Sequence, residues 1–147
     1  MLLTPILLAA ICTAGPVLSP TANTSLPLEL VPVVTVQNLH YATLFAQDEQ
    51  REMTGQAPAF AVPTTTSITP ATKGIWESLG NDKLRWTLRV SCKNAVSMNL
   101  GFGRYNMPSS GSLTMYDASG DFRVRPFTAD DNKAHGQLWT PVIPGNE

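Results

Sequence analysis

His40 and His135 are the residues of this 147-residue chain best suited to moving a proton or binding a metal near neutral pH. Neither has a second ligand at metal spacing, so no zinc site is expected. On paper His135 can be combined with several serines and aspartates into a Ser-His-Asp arrangement. No serine sits in a Gly-Asp-Ser-Gly-Gly or Gly-x-Ser-x-Gly context, however, and no catalytic residue is assigned. Asp117, Asp121, Asp130 and Asp131 fall in turn-rich stretches, where several oxygens can gather around Ca²⁺. Turns favour Asp and Asn for backbone reasons alone, so these four are calcium candidates on chemistry that does not require a metal. No other cofactor is indicated.

The remaining chemical candidates have structural readings. Glu49 and Glu52 lie one helical turn apart and read as a solvated face rather than an acid/base pair. Cys92 continues the alternation of Trp86, Leu88 and Val90, which makes it a small core residue rather than a nucleophile. Gly101-Phe102-Gly103 is followed by strand and turn residues rather than a helix, so it is not a phosphate loop. Trp76, Trp86 and Trp139 fall at strand-core positions. They are expected to be buried, with sugar stacking as the alternative.

The elements that must position these residues are mainly β. Residues 113–116 and 122–127 flank Asp117-Ala118-Ser119-Gly120 and read as a hairpin. Residues 74–79 and 84–92 flank Gly80-Asn81-Asp82 and read as a second, with Trp76 opposite Trp86. Residues 96–102 and 137–143 alternate in the same way, and residues 60–68 read as an extended edge segment interrupted by Pro63. One helix is expected over residues 39–54, capped by Asn38 and ended by Gly55, with Tyr41, Leu44, Phe45 and Met53 as a narrow apolar stripe. The expected core includes Trp76, Trp86, Leu88, Val90, Leu100, Phe102, Leu113, Met115 and Trp139. Six or seven strands at this spacing predict an antiparallel β-sandwich, jelly-roll-like or Ig-like. One or two strands are still needed after residue 147 to cover its edge, so the chain reads as a fragment of a longer precursor.

Twelve prolines, ten glycines and 14% charged residues suit a turn-rich β protein. A net charge of −1 provides no field for nucleic acid or anionic lipid, and a monomer is expected. Residues 1–15 form an apolar run of signal-peptide length, although no Lys or Arg precedes it. Residues 1–22 are therefore read as an export leader cleaved after Ala14 or Ala22, giving a secreted or periplasmic protein with no membrane anchor in its mature form. An apolar N-terminal strand is the competing reading. Residues 23–58 form a linker plus the short helix, and residues 59–147 the β module. Asn23-Thr24-Ser25 matches a glycosylation sequon.

Residues 51–147, about two thirds of the chain, resemble the N-terminal pro-region of bacterial secreted trypsin-like serine peptidases of the lysyl endopeptidase type. The resemblance is carried by residues 68–77 (ITPATKGIWE), 86–90 (WTLRV), 99–102 (NLGF), 113–117 (LTMYD) and 134–145 (AHGQLWTPVIPG). It implies a non-catalytic β-sandwich placed between the leader and a catalytic domain, which would be its partner and which it would help to fold, inhibit or export. No triad residue of that family maps onto any position here. Two other functions remain open: a carbohydrate- or cell-wall-binding module presenting aromatics such as Tyr105 and Tyr116, and a structural spacer.

Overall fold

The computed structural model describes Ile11–Cys12 and residues 26–147. The rest of the leader, and the sequon at Asn23, lie outside the described residues. What is described is mostly β with one helix, in small sheets that pair mostly antiparallel.

The most regular unit is the hairpin of β3 (Ile75–Gly80) and β4 (Lys83–Thr87). Gly80, Asn81 and Asp82 all have positive φ, the left-handed geometry that Gly and Asn accept and that matches the twist of the strands. Trp76 is opposite Trp86 and Glu77 opposite Arg85. Adjacent side chains alternate faces, so the tryptophans share one face and the ion pair the other. The indole N–H of Trp86 donates to Lys73 O at 2.8 Å and that of Trp76 to Pro70 O at 3.0 Å. Trp86 is buried beneath this turn. Trp76 is 46% exposed, which corrects its assignment to the core: the turn binds its N–H but leaves its ring face uncovered.

The run expected from Leu84 to Cys92 divides at Leu88 into β4 and β5 (Arg89–Lys93). Its partner lies in the stretch read as linker. β2 (Val33–Asn38) runs parallel to β5, from Val33 opposite Arg89 to Asn38 opposite Lys93. The Pro-rich composition of the linker concealed four consecutive residues, Val33-Val34-Thr35-Val36, three of them valine and all β-branched. A parallel pair needs a long crossover, and α1 (Tyr41–Met53) lies within it. The expected N-cap is also corrected, because Asn38 belongs to β2 and His40 takes the cap position without a side-chain cap bond. Asn38 Oδ1 instead accepts from Asn94 Nδ2 at 3.1 Å. No residue of α1 is buried. Residues 60–68 form no strand and end on the buried Ile68.

The main core lies between residues 100 and 143. Phe102, Tyr105, Met107, Leu113, Met115, Val124, Phe127, Leu138 and Ile143 form one cluster, with Leu100 packed against it. Its frame consists of short ladders: β6 (Ser97–Met98) with β10 (Ile143–Pro144), and β7 (Gly101–Phe102) with β9 (Leu138–Trp139). β8 (Gly111–Ser112) leads into the hairpin expected around residues 117–120, which forms through separate bridges, Leu113 opposite Phe127 and Tyr116 opposite Arg123. Pro126 cannot donate to a ladder, which accounts for the irregularity. β1 (Ile11–Cys12) pairs antiparallel with both β4 and β8.

Candidate functional site

The densest polar arrangement surrounds the turn after the core hairpin. The Thr128 side chain accepts from Asp130 N, while Asp131 Oδ2 accepts from Thr128 N at 2.9 Å, a reciprocal cap on the short 3-10 turn Ala129–Asp131. Arg125 then grips the same carboxylate through Nη1 to Oδ2 at 2.9 Å and Nη2 to Oδ1 at 2.5 Å. The Arg125 guanidinium holds the Asp131 carboxyl down at about 2, with the Thr128 N–H assisting. The Arg125 guanidinium also lies 4.8 Å from the centre of the Phe127 ring. Asn132 Oδ1 accepts from Met107 N at 2.8 Å and its Nδ2 donates to Met107 O at 2.9 Å, so an amide side chain replaces a missing strand partner.

Tyr105 crosses from this turn into the core. It is 2% exposed and donates its hydroxyl to Thr128 O at 3.0 Å. Burial, with the negative charge of Asp131 second, pushes its phenol up to about 12. Tyr105 is therefore unavailable to a surface aromatic platform. These groups are paired with one another, and the arrangement can hold two loops in register. It offers no activated nucleophile.

The calcium candidates are engaged locally or apart. Asp117 accepts from Ser119 Oγ at 2.6 Å and from Phe122 N at 3.0 Å, and these bonds, that of Ser119 first, lower its pKa. Asp121 and Asp130 are exposed, and Asp131 is held by Arg125. No group of three or more His, Cys, Asp or Glu able to hold a metal occurs among the described residues. His135 Nδ1 accepts from Gln137 N at 3.1 Å, which occupies the nitrogen that a triad aspartate would orient.

Of the expected core, Trp86, Phe102, Leu113 and Met115 are buried, and Leu88, Val90 and Leu100 are half-buried. Trp139 is 68% exposed, a second correction. It stands opposite Gly101, and a Cβ built on that glycine would lie 2.6 Å from the indole Cζ3. The ring lies over bare backbone with its outer face in solvent. Alternation identified its face but not that this face is the outer one. Tyr105, Met107, Val124, Phe127, Leu138 and Ile143 also belong to the core cluster, outside the expected set, and the spacing of small polar residues between them carries no regular period.

No family model and no solved structure matches this chain. The functional reading therefore rests on the residues themselves.

A second tie gathers the ends of the described chain. Arg89 Nε meets Glu147 Oε1 at 2.5 Å, Arg89 Nη1 donates to Leu28 O at 3.2 Å, and Cys92 N donates to Asn146 O at 2.8 Å. Cys92 is a buried free thiol whose pKa burial raises, the opposite of what a nucleophile requires.

Proposed function

We propose that this chain is the leader and non-catalytic N-terminal module of a secreted trypsin-like serine endopeptidase precursor of the lysyl endopeptidase type. The module assists the folding, inhibition or export of the catalytic domain. One observation carries the reading. The segments in which the resemblance resides, residues 99–102, 113–117 and 134–145, supply Phe102, Leu113, Met115, Leu138 and Ile143, five of the nine residues of the packed core, and Leu100 beside it. A resemblance that follows the core follows a folding unit rather than a composition bias. In this reading the small sheets are parts of a β-sandwich, residues 1–22 are an export leader, and the mature module is a secreted or periplasmic monomer that holds its peptidase partner non-covalently. Selective binding to the folded state of that partner stabilises it by mass action. The coding sequence that follows the Glu147 codon tests this: a trypsin-like domain with His, Asp and Ser in that order supports it, and an unrelated domain removes it.

The exposed indole of Trp139 favours a second reading, a binding module for carbohydrate or cell-wall polymer, since an uncovered ring on a rigid ladder suits stacking on a sugar face. Retention on insoluble polysaccharide, abolished by Trp139→Ala, would select that reading.

A further inference from the structure

Every residue from 49 to 65 is exposed, and no backbone group of residues 57–68 bonds to another backbone group of the described residues. Two side-chain contacts hold the segment in place: Asp48 Oδ1 accepts from Ala59 N at 2.9 Å, and the Thr64 hydroxyl donates to Gln37 Oε1. The chain bends at Phe60, whose ring is fully exposed between two alanines. Single exposed apolar residues are ordinary; what sets Phe60 apart is that the peptide bond after it carries no hydrogen bond on either side. An endopeptidase binds its substrate as an added strand, through main-chain hydrogen bonds and a side-chain pocket, so a segment already bonded in a helix or ladder must first open. Phe45, Met53 and Trp139 are exposed as well, but each is bonded in that way. Phe45 lies inside α1, Met53 is in its last turn with the next amide, Thr54 N, donating to Arg51 O, and Trp139 belongs to the ladder of β7 and β9.

We propose that the Phe60-Ala61 peptide bond is a processing site, hydrolysed in the folded protein by an endopeptidase with a deep apolar primary pocket, and that the cut leaves β2 seated on β5. Water is the only co-reactant: the bond from Phe60 C to Ala61 N breaks, the hydroxyl goes to the Phe60 carbonyl carbon and the proton to the Ala61 nitrogen. The Phe60 ring fills the pocket, and the small side chains of Ala59 and Ala61 keep both sides of the bond clear. No Lys or Arg occurs between residues 52 and 72, so a Lys- or Arg-directed peptidase leaves this segment whole. The site therefore calls for a different enzyme class from the trypsin-like domain proposed above, and it does not depend on that domain. The piece ending at Phe60 keeps its ties after the cut. β2 stays paired with β5 from Val33 to Asn38, Leu39 N donates to Lys93 O at 3.0 Å, and Asn94 Nδ2 donates to Asn38 Oδ1 at 3.1 Å and to Leu39 O at 2.9 Å.

The test treats the full chain with trace chymotrypsin, beside a synthetic peptide of residues 55–66 that represents the fully open segment. Mass spectrometry should place the first cut within residues 26–147 at Phe60-Ala61, at a rate within about tenfold of the peptide's, because no opening of the fold precedes it. Phe60→Ala, a change at an exposed side chain, should remove this cut without altering the unfolding temperature. Ala61→Pro, which keeps the ring but blocks the bond, should do the same. On gel filtration the two pieces should elute together at the position of the uncut chain. A first cut elsewhere in residues 26–147, a deficit against the peptide greater than about tenfold, or separation of the two pieces overturns the proposal. Undiminished cutting of the same bond in Phe60→Ala overturns it as well, since the ring is then not what the enzyme reads.

Discussion

Arg125 and Asp131 meet through two nitrogens and two oxygens, and the carboxylate between them also caps the turn that receives the Tyr105 hydroxyl. One charged side chain thereby ties the end of the core hairpin to the segment that crosses back into the core. The Arg125 side chain is 64% exposed and that of Asp131 15%, so solvent screens part of the attraction while the cap is retained.

The pH dependence follows from the sign of the shift. The Asp131 carboxyl is lowered from 3.8 to about 2 in the folded protein, so the folded state favours the ionised form. Its stabilising contribution is complete above about pH 4 and is lost as the pH falls from there through about 2. Asp131→Asn should cost about 1–2 kcal/mol at pH 7, the range of a lost cap bond and a screened ion pair, and should flatten the acid limb. Urea denaturation at pH 7 and pH 3 checks this; equal losses at both pH values would show that the carboxylate is not the group responsible.

Tyr105 gives the alkaline counterpart. Its folded value of about 12 lies above the ordinary 10, so the unfolded chain ionises first. Stability is unaffected below pH 10 and declines from there toward 12. Absorbance at 295 nm should show one tyrosine titrating with unfolding, a feature absent in Tyr105→Phe.

Gly74 separates backbone strain from collision. It has φ +87°, and a Cβ there would meet Trp86 Nε1 at 2.4 Å, whereas Gly120 has φ +80° and open space around its Cβ position. Gly120→Ala should cost about 1 kcal/mol from conformation alone, and Gly74→Ala at least about 3 kcal/mol, because the indole must leave its site under the turn. Thermal denaturation with Trp fluorescence distinguishes them; similar losses would contradict the packing of Trp86.

Trp139 covers Gly101 without entering the core. Trp139→Ala should therefore cost no more than about 1 kcal/mol, well below the 3–5 kcal/mol typical of a buried aromatic such as Phe102. Chemical denaturation of the two alanine variants measures the contrast.

The legible parts of the fold were local. The turn Gly80-Asn81-Asp82 and the Trp76/Trp86 pairing could be read because turn chemistry and alternation act within a dozen residues. The pairing of β2 with β5 could not, because a parallel partner lies beyond a long crossover and no local pattern announces it. Trp76 and Trp139 show a second limit: periodicity gives a face, and what covers that face is decided by distant segments. Asn132 shows a third, since a side chain that replaces a backbone partner for Met107 looks in the sequence like any turn residue.

The most direct test of the proposed function is the yield of active enzyme from the peptidase domain that this proposal calls for, expressed with and without this chain. Several-fold more activity is expected with the chain present, and none of that gain with Phe102→Ala, which removes the most deeply buried ring of the core. Equal yields with and without the module would contradict the account.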